Sequence, residues 1–423
     1  MAASIQAILT EKFNRPVRDF LWGHIYFTPE LEALLCSGPF MRLHRILQLG
    51  PVHMVYPGAT HTRASHSIGV YHLGRRLLRN LAERGAEGWL SREGAMSFLC
   101  ACLLHDLGHF PYTHSLKELP LKSHESLTGE IILAEPVKSL VGRCGADPAL
   151  TAAIVDREFS GGSGASCGNG GELRFYRRLL SGCLDPDKLD YLNRDARYCG
   201  VPYGAQDVDF ILSRLTPSSE RGADIDSRLI PNVEAVLFAK YLMYRTVYWH
   251  RQVRAATSMI KKALLAGLES GRIAGEELYG LDDQSLSALL REKTGSALPE
   301  AVWNGRLYTA ASETGFNEKE HAFLRDIARR SRCEERLAGE LGCGDLIIDL
   351  PEQVSFETGL FVIDEKRDFA ESSSAFKTET LNSFMKTLYT VRIFINPDFM
   401  EKVETLQELS DILNAKILTL KEI

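Results

Sequence analysis

No stretch of this chain approaches the roughly 20 consecutive apolar residues that a bilayer-spanning helix needs. The opening residues, MAASIQAILTEKFNRPVRDF, lack a basic segment followed by a long apolar one. Both absences lead us to expect a soluble, cytoplasmic protein with no membrane partner. The nine cysteines, at positions 36, 100, 102, 144, 167, 183, 199, 333 and 343, form no CxxC pair and none of the tight spacings of a zinc knuckle or a disulfide scaffold, so reduced thiols are expected. Basic charge is not in excess either: 49 Lys and Arg face 55 Asp and Glu, for a formal charge of −6 at pH 7 and a pI near 6.1. Bulk electrostatics therefore give no reason to expect a nucleic-acid coat protein, and any anion site has to be built locally. No internal repeat is evident.

What is present is a chain of 423 residues, 45% of them hydrophobic, which suffices for a substantial core in two or three folding units. Helical periodicity dominates the first part. In PFMRLHRILQLG, Phe40, Leu43, Ile46 and Leu47 recur at helical spacing before Gly50, and RASHSIGVYHLGRRLLRNLAERG carries Ile68, Leu73, Leu77, Leu78 and Leu81 as a core stripe. AMSFLCACLLHDL is apolar nearly all round, as befits a helix in the middle of a domain. Residues 159–171, FSGGSGASCGNGG, break this texture and read as a mobile loop, either an inert insertion or a lid over a site. Beyond about residue 340 the period changes: DLIIDLP, GLFVID and LYTVRIFIN are β-branched or aromatic runs, and PDFMEKVETLQELSDIL reads as a closing helix. The expected fold is mainly α, with a helical core over 1–270, a helical extension over 271–340 and a small α+β region over 341–423.

Twelve histidines are present, and eight of them fall between positions 53 and 124. The segment CLLHDLGHFPYTHS ends an apolar run in His105 and Asp106, followed by His109 and His114. Imidazole and carboxylate are costly to desolvate without partners, so this crowding calls for a compensating interaction, and a metal ion is one. His66 is a further candidate ligand on its own helix, with Arg63 one turn earlier on roughly the same face. The fourth candidate lies in LDPDKLDYLNRD, where Asp185 suits an N-cap and Pro186 the first helical position. On that helix Asp187, Lys188, Tyr191 and Asp195 share one side, while Leu184, Leu189 and Leu192 supply the buried one. A solvated Asp/Lys surface is the plainer reading of that side, but it leaves Tyr191 without a purpose. Two histidines and two aspartates form a mixed N/O set without sulfur, suited to Mn²⁺, Mg²⁺, Fe²⁺, Co²⁺ or Ni²⁺ with water in open positions rather than to closed structural zinc. Such an ion polarises a phosphoryl oxygen and acidifies bound water.

YPGATHTRASHSIGV, LLHDLGHFPYTHS, KSHES and DPDKLDYLNRDARYCGV, in this order and spacing, resemble the HD-domain metal-dependent phosphohydrolases. The likeness is to their deoxynucleoside triphosphate triphosphohydrolase branch and covers roughly residues 15 to 260. It implies that His66, His105, Asp106 and Asp187 hold a divalent metal, and that Arg63, His109, His114 and His124 face the triphosphate, the last two near the α-phosphate. It also implies that Lys188 and Lys240 bind phosphate, that Gln48 and Asp195 hold the 3′-hydroxyl, that Leu49 touches the base, and that Tyr191 and Tyr248 pack near the sugar. The implied reaction converts a dNTP to deoxynucleoside and inorganic triphosphate, and the implied assembly is a homo-oligomer, a dimer or a tetramer. Another nucleotide or phosphodiester substrate, or a regulator binding nucleotide or single-stranded nucleic acid, are the alternatives.

Three departures from the family pattern qualify these expectations. Lys240 stands where an arginine is expected, giving a point charge rather than a fork. Lys117 occupies the place of an acid that orients the imidazole of His114, and Glu118, one residue on, is the candidate substitute. Cys36, Met41 and His44 replace the Asp, Gln and Arg of a GTP-activation site, and neither Cys nor Met pairs with guanine as a carboxylate does, so no such activation is expected. Helical spacing also puts Arg251 on the side of Lys240 and Tyr248.

Overall fold

The computed structural model describes residues 4–159, 170–373 and 375–420. Its centre is the 21-residue helix Arg63–Glu83, which starts where the Thr62 side chain caps the Ser65 amide. The expected stripe of Ile68, Leu73, Leu77, Leu78 and Leu81 is buried. On one side this helix packs against Arg92–Leu104, whose residues from Gly94 onward are all buried, as an all-round apolar sequence requires. On another it meets Pro186–Cys199, which begins as expected: the Asp185 carboxylate accepts the Lys188 amide and Pro186 opens the first turn.

Two glycines set how closely these elements approach. A Cβ at Gly69 would lie 1.9 Å from Asp190 Oδ1, and one at Gly108 would lie 2.2 Å from the carbonyl oxygen of His124. Neither position has room for a side chain, so Gly69 lets the Asp190 carboxylate reach the helix Arg63–Glu83, and Gly108 draws the chain after the His105–Asp106 pair onto the helix His124–Leu133.

Further along, Ile230–Met243 runs into a π-helical turn, Tyr244–Tyr248, and after a break at Trp249 and His250 the helix Arg251–Glu269 begins. The C-terminal part holds a three-stranded antiparallel sheet with Thr390–Ile395 between Thr309–Gly315 and Leu346–Asp349. Ile327–Leu341 and Leu406–Thr419 pack on it. The sheet is bolted to the helical body by Asp349: its buried carboxylate accepts hydrogen bonds from Arg254 Nε at 2.9 Å and Ser258 Oγ at 2.7 Å. The chain leaving this anchor, residues 350–359, is a strap without helix or strand that lies back over the helical body.

The architecture is thus mainly α with a small α+β element at the C-terminal end, as expected. Several details differ. The helix expected around PFMRLHRILQLG covers only Gly38–Leu43, because the chain must turn to bring Gln48 beside His61. The stretch 271–340 is not wholly helical: Thr309–Gly315 is a strand, satisfied only by pairing with residues 390–395. The closing helix is two, Pro397–Met400 and Leu406–Thr419. Residues 160–169 of the Gly/Ser-rich stretch lie outside the described residues, and Gly170 already starts the next helix. No helix among the described residues is long and apolar enough to cross a membrane, and the described cysteines are free thiols.

Candidate active site

A cavity of about 470 Å³ opens between the ends of these helices. Its wall gathers His66, His105, Asp106 and Asp187, with Arg63, His114 and His124, and on the other side Gln48, Leu49, Tyr191, Asp195, Lys240 and Tyr248. Residues far apart in sequence therefore converge, and two expected members stand behind the wall rather than in it. His109 is fully buried, with Nε2 3.1 Å from His114 Nε2. Lys188 turns its ammonium to the carbonyl of Gly182 at 3.0 Å and the Asp185 carboxylate at 2.8 Å.

At one end, His66, His105 and Asp187 each direct one donor atom into a common space, all within 4.8 Å of one another. His66 Nε2 lies 3.0 Å from Asp187 Oδ1, and His105 Nε2 lies 3.9 Å from the same oxygen. Asp106 is adjacent, its Oδ1 3.3 Å from His105 Nε2, while its other oxygen accepts a hydrogen bond from Arg63 at 2.8 Å. The outer nitrogens of both imidazoles are fixed: His66 Nδ1 sits 2.8 Å from Asp190 Oδ2, and His105 Nδ1 sits 3.0 Å from the carbonyl of Cys102. Such outer partners orient histidine ligands toward a metal. Asp190 is held in turn by Trp22 Nε1 at 2.6 Å and by Arg194, whose guanidinium also reaches Asp19 at 2.9 Å.

Electrostatics distinguish the two ends of the histidine cluster. Burial is the largest influence on His66 and disfavours its charge, but hydrogen bonds to Asp187 and Asp190 outweigh it and raise the imidazole to about 10. A position that holds a proton this firmly is one that attracts a cation, and the mixed N/O donors around it fit a divalent metal. The second histidine set, His109, His114 and His124, also brings nitrogens within 4.8 Å. Here burial and the charge of Arg63 push His109 down, burial and His114 push His124 down, and burial, Arg63 and Lys117 bring His114 to about 3. Burial keeps these imidazoles neutral, and the positive charge of Arg63 and Lys117 beside them is what suits this end to an anion.

The remaining wall is polar over an aromatic floor. Asp195 is gripped by His61 Nε2 at 2.8 Å and by the Tyr248 hydroxyl, which donates at 2.7 Å. Gln48 lines the cavity, and its Oε1 is buried without a hydrogen-bond partner among the described residues. Lys240 donates to the carbonyl of Ser355 at 2.7 Å and to Glu357 at 3.0 Å, and Glu357 also approaches Lys188 at 3.6 Å.

Glu118 does not orient His114: it is paired with Lys261 and Arg330. Arg251 is exposed and absent from the cavity wall, where Arg254 appears instead, because the π turn and the break at 249–250 interrupt the 100° count. Sequence reasoning missed Asp190, whose signal was present as an acid three residues after Asp187 and four before Arg194. It also missed the strap residues Glu352 to Glu357, for which no local signal exists. Cys36, Met41 and His44 all lie exposed near the helix Gly38–Leu43.

Residues 63–183 match the HD domain and residues 211–421 the HD associated region, so this is an HD-domain protein. It is 34% identical over 233 residues to the uncharacterized protein YwfO of Bacillus subtilis, covering 55% of this chain and 50% of that one. It is 26% identical over 285 residues to the deoxynucleoside triphosphate triphosphohydrolase SAMHD1 of Bos taurus, covering 61% and 48%. A hypothetical protein from Aquifex aeolicus has a similar crystal structure, with a TM-score of 0.71 at 25% identity over 93% of this chain and 99% of that one. The chain spans about half the length of the curated relatives it matches.

Proposed function

We propose that this protein is a metal-dependent phosphohydrolase acting on deoxynucleoside triphosphates, releasing deoxynucleoside and inorganic triphosphate. The observation that carries the reading is a single cavity with a cation-attracting donor set at one end and proton-repelling imidazoles beside it. Similarity to a dNTP triphosphohydrolase over 61% of the chain supports the substrate class. His66, His105 and Asp187, with Asp106 beside them, would hold a divalent ion such as Mn²⁺, Mg²⁺, Fe²⁺, Co²⁺ or Ni²⁺. When bound, the ion polarises a phosphoryl oxygen and acidifies water.

The chain's own residues do the rest. Arg63 and Lys240 offer positive charge to the triphosphate, whose oxygens take the place of the Glu357 carboxylate between Lys240 and Lys188. Before substrate arrives His114 and His124 are neutral. The bound anion reverses the local field, favours an imidazolium, and so brings in the proton that the leaving O5′ needs when its bond to the α-phosphorus breaks. His109 orients His114. Gln48 and Asp195 hold the 3′-hydroxyl, Leu49 meets the base, and Tyr191 and Tyr248 pack along the sugar edge, where a 2′-hydroxyl is excluded. The active form is a homo-oligomer, a dimer or a tetramer, without dependence on GTP.

Incubation of the protein with each dNTP and Mn²⁺ or Mg²⁺, followed by ion chromatography, tests this. Deoxynucleoside and tripolyphosphate in equal amounts are expected. Orthophosphate or pyrophosphate would move the activity to another phosphoester, and a protein that binds nucleotides without turnover would be a regulator.

A further inference from the structure

The stretch Y-P-G-A-T-H, residues 56–61, has neither helix nor strand, yet it touches three parts of the cavity wall at once. The Tyr56 hydroxyl donates to the carbonyl of Thr246 at 2.9 Å, inside the π-helical turn that carries Tyr248. A Cβ at Gly58 would lie 2.4 Å from the carbonyl oxygen of Tyr198, so only glycine lets the stretch press against the end of the helix Pro186–Cys199. That close passage delivers His61 to Asp195. The imidazole is buried, its centroid lies 4.5 Å from that of the Tyr198 ring, and its Nε2 stands 2.8 Å from Asp195 Oδ1. The carbonyl of the same residue accepts the Gln48 amide at 3.0 Å. His61 therefore holds two members of the wall, one from its ring and one from its backbone, without lining the cavity itself.

A carboxylate only accepts, so the imidazole proton facing Asp195 belongs on Nε2. Nδ1 is then an acceptor, and it is buried with no hydrogen-bond partner among the described residues. An unpaired buried polar atom weakens a fold, and an apolar ring would fill the space beside Tyr198 without one. What the apolar ring lacks is the donor toward Asp195. With His61 on Oδ1 and the Tyr248 hydroxyl on Oδ2, the plane of the carboxylate is fixed, and each oxygen keeps a further lone pair for a ligand. Gln48 Oε1 adds a second buried acceptor to the same wall. Two acceptors call for a donor, and the donors on a nucleotide sugar are its hydroxyls. We propose that His61 is the specificity-determining positioning residue of this subsite: it fixes Asp195 and Gln48 as acceptors and so sets the preference for a ligand that keeps its 3′-hydroxyl. The inference rests on the dNTP reading above.

Initial rates with Mn²⁺ for each dNTP and its 2′,3′-dideoxy counterpart give a discrimination ratio in kcat/KM; in the absence of turnover, calorimetric titration with the same pairs gives it in Kd. The wild-type protein should favour the deoxy form by roughly tenfold or more, because acceptors left unpaired penalise an analogue without the donor. Two variants separate positioning from packing. His61→Phe keeps a ring beside Tyr198 and removes the donor, so the ratio should fall toward one. His61→Gln gives up the ring and keeps an N–H near the place of Nε2, so most of the ratio should remain. A packing role predicts the reverse order. Should a thermal melt show the Phe variant unfolded, His61→Leu takes its place. Mn²⁺ affinity, set at the other end of the cavity, should match wild type, and a parallel fall would overturn the assignment as a general collapse. A wild-type ratio near one, a ratio unchanged in the folded variant without the donor, or one lost in folded His61→Gln would overturn this inference and leave dNTP hydrolysis standing. A wild-type protein that neither hydrolyses nor binds any dNTP would remove the substrate reading and this inference together.

Discussion

Asp187 carries the densest set of demands in the molecule, because two imidazoles from different helices approach one of its oxygens. Replacing it removes the group on which they converge, so Asp187→Ala is expected to lower turnover by roughly a thousandfold or more. Bound metal, measured by plasma emission, should disappear while the circular dichroism spectrum stays native; an active variant would remove the metal assignment. Asp190 is a positioning residue: it holds the far nitrogen of His66 without entering the cavity wall. Asp190→Asn should weaken metal affinity by roughly 10- to 100-fold, read by metal titration, and excess metal should restore much of the activity, which a purely structural defect would not allow. His105, Asp106, His109 and His114 were legible as a reactive cluster because buried titratable groups at the end of an apolar run demand partners, and His124 was added by the family resemblance. Their division into a cation end and an anion end came only from the family resemblance, since physically it depends on Arg63 and Lys117 arriving beside one set and two aspartates beside the other.

Among the elements, helix starts were read most securely, because a cap is a local device: Asp185 and Pro186 define theirs with no help from the rest of the chain. The strand Thr309–Gly315 was invisible for the opposite reason, its sequence TAASETG being satisfied only by a partner about 80 residues away. Helix proximity leads to a prediction at Gly69. Its missing Cβ admits Asp190 and Arg194, so Gly69→Ala should cost about 1–3 kcal/mol and displace the Asp190 carboxylate from His66. A urea midpoint and a metal titration on the same variant check both consequences; a stability loss without weakened metal binding would separate the glycine from the site. The strap makes a different demand. Glu357 occupies the ammonium groups that the proposed reaction assigns to phosphate, so Glu357→Gln should lower KM by roughly three- to tenfold. Initial rates at two ionic strengths measure this, and a raised KM would show that the carboxylate aids binding.

At the scale of the whole molecule, buried histidines couple the fold to pH. Burial followed by Arg76 holds His72 down to about 4, and burial with Arg63 and Lys117 holds His114 down to about 3, both from an ordinary 6.5. Between those values and 6.5 the unfolded chain binds more protons than the folded one, so stability rises with pH across that window. The contribution is complete above pH 6.5 and is lost progressively as pH falls toward 4. Urea midpoints should therefore climb from pH 4 to about 6.5, above which the raised imidazole of His66 makes them fall again, and His72→Gln should flatten part of the rise; a profile flat below 6.5 would contradict the burial argument.

Taken alone, the sequence determined the helical core, its caps and most of the titratable side chains that gather at the cavity, because periodicity, capping and the cost of burying charge all act over a few residues. Only the tertiary structure decided that Asp190 backs His66, that Lys188 and His109 stand behind the cavity wall, and that Glu357 on the C-terminal strap lies between Lys188 and Lys240. Those outcomes depend on how closely helices pass at Gly69 and on the Asp349–Arg254 anchor that aims the strap. Contacts of that kind join residues hundreds of positions apart, and nothing in either local segment encodes the distance between them.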